Sequence, residues 1–337
     1  MSESGDYTPA PYWSDHKSFK TAKAHYDSSA ARSYDDAVSD GKTLKDLIPA
    51  SVTTESTNPL VVVTDETGSM GEWPAVIFSK LPYFEHEAKV YLGDDMEISF
   101  AAIGDAHTGS EKYWLQVRPF AKQKAIATEI KKLVIEGQGG GQVSETYEMA
   151  ALYYARKAKM PKAIKPIIIF IGDEKPYNMI SKEHAKMIGI ASEERIATAD
   201  VFEELKRKFS VYLIRKPYGS DTSNVMDSTN LGIRKVWADL IGEDHIADLP
   251  SAERVMDVIF GILANETRKV PYFEEELNDR QLKDKGGAAK VETVMKSLKT
   301  IHAALPAPGT KKDAAGDGKS RLHTTKKSSG ATKRLVD

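Results

Sequence analysis

Short apolar runs that alternate with segments of helical periodicity constrain the fold of this chain most strongly. Residues 60–64 read Leu-Val-Val-Val-Thr, and residues 166–171 read Pro-Ile-Ile-Ile-Phe-Ile. Continuous, largely β-branched runs of this length are typical of strands that are buried on both faces of a parallel sheet. The same pattern predicts further strands at 97–103, 114–120, 211–214 and 246–249.

The segments between these runs have the apolar spacing of helices. Helices are predicted at 71–89, 121–136, 144–159, 181–208, 225–241 and from residue 251 onward. Strands that alternate with helices in this way are typical of doubly wound proteins. The predicted fold class is therefore α/β, with a doubly wound, mostly parallel six-stranded sheet flanked by helices.

Changes in composition divide the chain of 337 residues into four parts. Residues 1–56 are polar and predict a partly helical N-terminal arm, whereas residues 57–268 contain the α/β pattern. Residues 269–305 are charged and predict a C-terminal helical extension. Residues 306–337 consist mainly of Gly, Ser, Thr, Ala and Lys without an apolar face, which predicts a disordered basic tail.

Charge is divided unevenly between these parts. Residues 306–337 carry eight Lys and Arg against three Asp and Glu, a net charge of +5, so that the total of −2 leaves −7 on the rest of the chain. An acidic body is not expected to bind nucleic acid, and only the basic tail could attract it through counterion release. The tail has no aromatic residue for stacking on bases, and a solubilising extension is the simpler interpretation.

The chain contains no cysteine, which excludes disulfides, thiolate metal sites and cysteine nucleophiles. Its N-terminus lacks the apolar run of a signal peptide, and no segment has the length and apolarity of a membrane span. We therefore expect a soluble, cytoplasmic protein without a membrane partner.

Acidic residues follow three of the predicted strands. Asp65 comes after the first strand, Asp105 after the second and Asp173 after the most apolar one. In an open parallel sheet, ligands bind at the carboxyl ends of the strands, near the point where the strand order reverses. We therefore expect these carboxylates to lie along one edge of the sheet.

The segment after the first strand adds two hydroxyls to this edge. It reads Asp65-Glu-Thr67-Gly68-Ser69, and we expect Gly68 to let the backbone turn sharply so that the three oxygen-bearing side chains face one centre. Carboxylate and hydroxyl oxygens suit Mg²⁺, with Mn²⁺ or Ca²⁺ as alternatives. The other interpretation is that these side chains cap the next helix.

Residues 60–70, Leu-Val-Val-Val-Thr-Asp-Glu-Thr-Gly-Ser-Met, resemble the metal-ion-dependent adhesion site of von Willebrand factor A (vWA) domains, whose first loop reads Asp-x-Ser-x-Ser. The Gly-rich loop, which comprises the stretch 137–141 and continues to Glu145, resembles the second loop of that site, and Ile-Phe-Ile-Gly-Asp173 resembles the third. The resemblance covers about residues 57–268 and is closer to intracellular bacterial and phage members than to integrins. It implies a Mg²⁺ ion held by Asp65, Thr67 and Ser69, with Asp173 acting directly or through water.

The second loop departs from the family pattern Gly-Gly-Gly-Asp-x-Pro-Glu. Gln142 replaces the Asp and Ser144 replaces the Pro, and the Thr hydroxyl that the family supplies here has no direct equivalent. The candidate ligands from this loop are therefore Gln142, Ser144 and Glu145, with Thr146 as a substitute hydroxyl donor.

The resemblance implies a protein-interaction module and not an enzyme. In the family, an Asp or Glu of a partner protein fills an open position on the metal, and intracellular members often act beside AAA-type ATPases. Asp105 and Glu174 are predicted to line the rim of such a contact.

Two alternatives stay open, a Mg²⁺-dependent phosphatase-like hydrolase of the haloacid-dehalogenase type and a metal-free structural vWA-like domain. The hydrolase should carry a carboxylic acid where Thr67 stands, because a hydroxyl is a poor general acid at neutral pH. We therefore assign no catalytic residue.

Overall fold

The computed structural model of the chain describes residues 24, 26–28, 43–139, 143–219, 225–249, 251–283 and 285–303. The predicted tail at 306–337 and most of the predicted N-terminal arm lie outside these residues. Among the helices that are described, none combines the length and the apolarity that crossing a membrane requires.

The strands of the described residues include six that form one central sheet and several two-residue pairs at its margins. In chain order they are β1 (Val52–Thr53), β2 (Leu60–Asp65), β3 (Ile98–Ile103), β4 (Leu115–Val117), β5 (Ser144–Glu145), β6 (Ala158–Lys159), β7 (Ile167–Gly172), β8 (Lys175–Pro176), β9 (Met179–Ile180), β10 (Ile196–Ala197), β11 (Ser210–Arg215) and β12 (Ile246–Asp248).

The central sheet has the strand order β12-β11-β7-β2-β3-β4. Its neighbouring strands run parallel except for β3 and β4, which are antiparallel. From β2 the chain builds outward through β3 to β4, and it then continues on the other side of β2 from β7 to β12. This doubly wound order reverses direction between β2 and β7. The predicted fold class, a mostly parallel six-stranded sheet flanked by helices, is confirmed.

Apart from the helical residues 24 and 26–28, the α-helices of the described residues connect these strands or follow the last one. They are α1 (Trp73–Lys80), α2 (Phe84–Leu92), α3 (Lys124–Ile130), α4 (Tyr147–Lys157), α5 (Lys182–Met187), α6 (Thr198–Lys206), α7 (Ser228–Ile241), α8 (Val255–Thr267), α9 (Val270–Gln281) and α10 (Gly287–Ala303).

Alternate residues of the central strands are buried on opposite faces of the sheet. Leu60 and Val62 of β2 pack into one core, together with residues of α1, α2, α8, α9 and α10. Val61 and Val63 pack into a second core, together with residues of α4, α6 and α7. Because helices cover both faces, the strands are continuous apolar runs in the sequence and do not alternate with polar residues.

The predicted helix at 181–208 is wrong as a single element. Helix α5 ends at Met187, and Gly189 follows in the left-handed region with φ of +71°. The chain then returns as β10 to pair with β9 before α6 begins. Strand pairing therefore overrides the helical spacing of the residues between α5 and α6.

Two other predicted helices differ in extent. The predicted helix at 71–89 is divided into α1 and α2 by a 3₁₀ turn, Leu81–Tyr83, whose Pro82 has no N–H for an intrahelical hydrogen bond. The predicted helix at 121–136 is shortened to α3, and its later start follows from an antiparallel bridge between Ala121 and Ile98, the first residue of β3.

The C-terminal helices pack directly on the sheet domain. Phe273 of α9 and Leu298 of α10 are fully buried in the same core as Leu60. Helices α8 and α10 approach closely at Gly261, where an added Cβ would lie 2.1 Å from Leu298 Cδ1. This contact joins the last helix to the core.

We expect Gly261→Ala and Gly232→Ala to change stability in opposite directions. At Gly232 in α7 nothing lies within 4 Å of an added Cβ, so that alanine contributes only its better helix propensity, about 0.5–1 kcal/mol. At Gly261 the methyl group must displace the buried Leu298, which costs about 1–3 kcal/mol. Urea unfolding of both variants measures the difference, and equal stabilisation by the two would contradict the packing of α10 on α8.

Candidate metal centre

Two aspartates meet where the strand order reverses. Asp65 is the last residue of β2, and Asp173 directly follows the neighbouring strand β7. Both side chains are fully buried. The carboxyl ends of strands on either side of such a reversal diverge into a crevice, which is where doubly wound proteins bind their ligands.

Two hydroxyls connect these aspartates. The backbone N–H and the hydroxyl of Thr67 donate to Asp65 Oδ1 at 2.9 and 2.6 Å, and Ser69 Oγ donates to Asp173 Oδ1 at 2.9 Å. The two hydroxyl oxygens lie 3.2 Å apart, and the Thr67 side chain does not cap the turn that follows it. Asp65, Thr67, Ser69 and Asp173 are referred to below as the acid–hydroxyl cluster. The structure thus brings together the four residues that the vWA resemblance implied.

The turn that carries the hydroxyls depends on a close approach at Gly68. An added Cβ there would lie 3.2 Å from the carbonyl oxygens of Gly137 and Gln138, and the Gly68 N–H donates to the Gln138 carbonyl at 2.5 Å. The positive φ of this turn, +57°, belongs to Gly71. The expectation that Gly68 supplies backbone freedom is therefore wrong, because its small size is what lets the Gly-rich loop lie against the turn.

Tyr147, which the sequence analysis missed, holds Asp65 from a second side. It is the first residue of α4, and its hydroxyl donates to Asp65 Oδ2 at 2.5 Å. Gly172 at the end of β7 leaves room for this ring, since an added Cβ would lie 1.9 Å from Tyr147 Oη. Burial and the charge of Asp65 raise the pKa of Tyr147 well above its usual value, so that the hydroxyl remains a donor. Its position at a helix start directly after the Gly-rich loop is the signal that indicates it.

Lys216, a buried cation, lies at the same edge and was also missed. It directly follows β11, and its Nζ is 2.9 Å from Asp173 Oδ2 and 3.0 Å from the carbonyl oxygen of Ser69. Burial raises the pKa of Asp173, and the Lys216 ammonium opposes that effect. The sequence analysis looked for acidic residues directly after the strands. A search for basic residues at the same places would also have found Lys216.

The second loop brings one carboxylate close to the cluster. A Cβ added at Gly139 would lie 3.3 Å from Glu145 Oε1 and 3.4 Å from Thr67 Cβ, so both side chains flank the same loop. Ser144 is half-buried in β5, which pairs with β8. Gln142 lies outside the described residues.

Glu145 and Glu174 are neighbouring buried acidic residues. Burial, followed by the charge of Asp65, raises the pKa of Glu174 to about 9 and that of Glu145 to about 12. Within the described part of the chain, Oε2 of each residue is buried without a hydrogen-bond partner. Without a cation, these two groups therefore hold protons at neutral pH.

The loop after β3 is fixed by its own hydrogen bonds. Asp105 Oδ1 accepts from the backbone N–H of His107 at 2.8 Å and from the Tyr177 hydroxyl at 3.1 Å. The hydroxyl of Thr146 donates to the carbonyl oxygen of Gly104 at 2.5 Å. Thr146, the proposed substitute ligand, thus ties the start of α4 to the end of β3.

The structure buries Asp105 and Glu174, the two residues that are predicted to line the rim of a partner contact. Their exposed fractions are 0% and 3%. The Tyr177 hydroxyl donates a hydrogen bond to Asp105, and the Trp237 indole N–H donates to the Glu174 carbonyl oxygen at 2.8 Å.

Ser69 is the member of the acid–hydroxyl cluster that is exposed to solvent.

Three further buried glutamates, absent from the sequence prediction, accept backbone N–H groups near the start of the Gly-rich loop. Glu66 accepts from the backbone N–H of Glu136, Glu111 accepts from that of Gln138 at 3.2 Å, and Glu136 accepts from that of Tyr113 at 2.7 Å. Glu66 and Glu111 thereby hold the backbone of residues 136 and 138, where this loop begins.

No group of three or more His, Asp or Glu side chains in the described ranges is arranged to hold a metal ion. The acid–hydroxyl cluster has a different composition, with two carboxylates and two hydroxyls. Oxygen donors of both kinds are ligands of hard divalent cations.

No family model and no curated protein matches this chain. Solved structures with a similar fold include the open conformation of the pilus adhesin SpaC from Lactobacillus rhamnosus GG, which is 13% identical with a TM-score of 0.47 over 67% of this chain and 31% of that one. They also include the vWF domain of the type V pili tip protein Mfa5 from Porphyromonas gingivalis, 11% identical with a TM-score of 0.41 over 64% of this chain and 97% of that one. A von Willebrand factor type A structure from Catenulispora acidiphila is 15% identical, with a TM-score of 0.35 over 63% of this chain and 43% of that one. This chain thus spans about a third of the length of SpaC. Because all of these TM-scores are below 0.5, the fold is assigned from the strand order of this chain alone.

We expect the metal-free protein to lose stability as the pH rises from about 5 to about 7. Burial, together with the charge of Asp173, raises the pKa of Asp65 to about 7, and burial also raises that of Glu111 to about 7. In this range the native state keeps protons that the unfolded chain releases, so the free energy of unfolding falls by about 1 kcal/mol per pH unit for each group.

Urea unfolding in EDTA at several pH values measures this slope. Glu111→Gln removes one of the groups that keep a proton in the native state and should make the slope shallower. A free energy of unfolding that increases with pH over this range would contradict the assignment.

Proposed function

We propose that this chain is a metal-dependent protein-interaction module of the vWA type. The observation that carries the proposal is the acid–hydroxyl cluster, in which two buried carboxylates and two hydroxyls are joined at the reversal of the strand order. Its oxygen donors suit Mg²⁺, with Mn²⁺ or Ca²⁺ as alternatives.

The surroundings of the cluster support a cation. Glu145 Oε2 and Glu174 Oε2 are buried and lack hydrogen-bond partners among the described residues, and buried polar atoms are normally satisfied. Asp65, Asp173, Glu145 and Glu174 also repel one another when ionised. A divalent cation would relieve this repulsion, because a bound ion inverts the pKa shifts that burial causes.

Each residue of the cluster has a distinct part in this proposal. Asp65 and Asp173 would supply negative charge, and Thr67 and Ser69 would supply neutral oxygens, with Glu145 as a further carboxylate. Tyr147 fixes the orientation of Asp65, as outer-shell partners of metal ligands do. When bound, Mg²⁺ supplies a Lewis-acidic position for a carboxylate from outside, and the exposed Ser69 marks the side from which solvent reaches the cluster.

The partner in this proposal is a protein that presents an Asp or Glu side chain. Because the motif resembles intracellular vWA proteins, we extend the proposal to a cytoplasmic adaptor for an AAA-type ATPase or another macromolecular assembly. Fold and motif do not fix the identity of such a partner. We propose no catalytic activity, since Thr67, two residues after Asp65, is hydrogen-bonded to it as a hydroxyl donor and provides no general acid.

A metal-free structural vWA-like domain is the second candidate, and one observation favours it. The Lys216 ammonium already contacts Asp173 and so compensates part of the buried negative charge. Binding of Mg²⁺ distinguishes the two candidates.

Calorimetric titration of the EDTA-stripped chain with MgCl₂ tests the metal site. We expect saturable binding by the wild type and at least roughly tenfold weaker binding by Ser69→Ala and Asp65→Ala, since even outer-shell partners contribute that much. Asp239→Ala, which removes an exposed carboxylate paired with Lys235, is the matched control and should bind normally. No saturable heat from the wild type, or unchanged affinity in Asp65→Ala, would contradict the proposal.

Partner binding is tested by retention of proteins on the immobilised full chain. The proposal predicts proteins that bind in Mg²⁺, are released by EDTA and are not retained by the Ser69→Ala chain. Partners that bind equally well in EDTA would show that the interaction does not use the metal.

A further inference from the structure

We infer that Lys216 is a tethered cation that balances the acid–hydroxyl cluster in the metal-free protein and lowers its affinity for a divalent ion. The inference begins from the position of one ammonium group. Lys216 Nζ lies 2.9 Å from Asp173 Oδ2, 3.0 Å from the carbonyl oxygen of Ser69 and 3.4 Å from that of Pro217. All three acceptors are oxygens, as they would be around a small cation.

The backbone holds Lys216 in this place. Its N–H donates to the carbonyl oxygen of Gly172 at 2.9 Å, next to Asp173, which continues the parallel pairing of β11 with β7 by one residue. The side chain therefore starts beside the carboxylate that it contacts, and it is buried. The backbone hydrogen bond and the burial of the side chain thus fix the contact between Lys216 and Asp173.

The preceding residue shows that the contact is specific to Lys216. The guanidinium of Arg215 bonds to Asp248 Oδ1 at 2.5 Å and to Asn230 Oδ1 at 2.7 Å. Successive side chains of a strand point to opposite faces, so of these two adjacent cations only Lys216 serves the cluster.

The buried carboxylates of the acid–hydroxyl cluster explain why a cation is needed beside Asp173. Asp173 is fully buried and lies in the same cluster as the buried Asp65, and a buried carboxylate without a counter-charge is strongly destabilising. Lys216 supplies this counter-charge when no metal is present. Asp173 Oδ1 bonds to Ser69 while Oδ2 bonds to Lys216, so both oxygens of this carboxylate are engaged.

The same ammonium must oppose a divalent cation at the cluster. It competes for Asp173 Oδ2, and like charges repel strongly at short distance in a buried site. Metal binding therefore requires Lys216 to weaken or leave its contact with Asp173. This second half of the inference rests on the proposed function, whereas the charge balance in the metal-free protein does not.

Unfolding of the full chain in EDTA tests the charge balance. We expect Lys216→Met, which keeps an unbranched apolar side chain, to lower Tm by roughly 5 °C or more. Adding Asp173→Asn to Lys216→Met should recover most of the loss, because the uncompensated charge is then gone. The exposed Lys235→Met should leave Tm unchanged. A Lys216→Met chain as stable as the wild type, or a double variant no more stable than Lys216→Met, would overturn the inference.

Calorimetric titration with MgCl₂ tests the competition. We expect Lys216→Met to bind Mg²⁺ at least about tenfold more tightly than the wild type. Equal or weaker binding by the variant would overturn the second half. Absence of Mg²⁺ binding in both proteins would overturn it together with the proposed function, while the unfolding experiment decides the first half separately.

Discussion

The burial of Asp65 and Asp173 side by side at the reversal of the strand order is the constraint on which the rest of this edge depends. Two carboxylates without solvent exposure need hydrogen-bond donors and positive charge, or they take up protons. Thr67, Ser69 and Tyr147 supply the donors, and Lys216 supplies a charge. The raised pKa of Asp65, about 7, shows that this compensation is incomplete in the metal-free chain.

The small residues around the cluster are explained by the same constraint. Gly172 leaves the space that the Tyr147 ring needs to reach Asp65, and Gly68 lets the Gly-rich loop approach the turn that carries the hydroxyls. Buried glutamates that accept backbone N–H groups, Glu66 and Glu111 among them, hold that loop in place. The edge thus keeps its oxygens in fixed positions, as the proposed metal site requires.

The strands of the central sheet and three residues of the acid–hydroxyl cluster could be predicted from sequence patterns, because each of them depends on a short stretch of chain. Continuous apolar runs identified the central strands, and Asp65, Thr67 and Ser69 lie within five residues of one another. Tyr147 and Lys216 contribute through contacts with residues far away in the chain, at separations of 82 and 43 positions. Their places at a helix start and after a strand end indicate that they lie at this edge, but a local pattern does not report which residues they contact. The single helix predicted at 181–208 failed for the same reason, since the pairing of β10 with β9 is a tertiary contact.

The most direct measurement is the anomalous scattering of crystals of the full chain grown with MnCl₂. We predict one anomalous peak at the acid–hydroxyl cluster, within bonding distance of Asp65, Thr67 and Ser69, with Lys216 Nζ withdrawn from Asp173 Oδ2. A cluster without such a peak at saturating Mn²⁺, with Lys216 still bonded to Asp173, would contradict it.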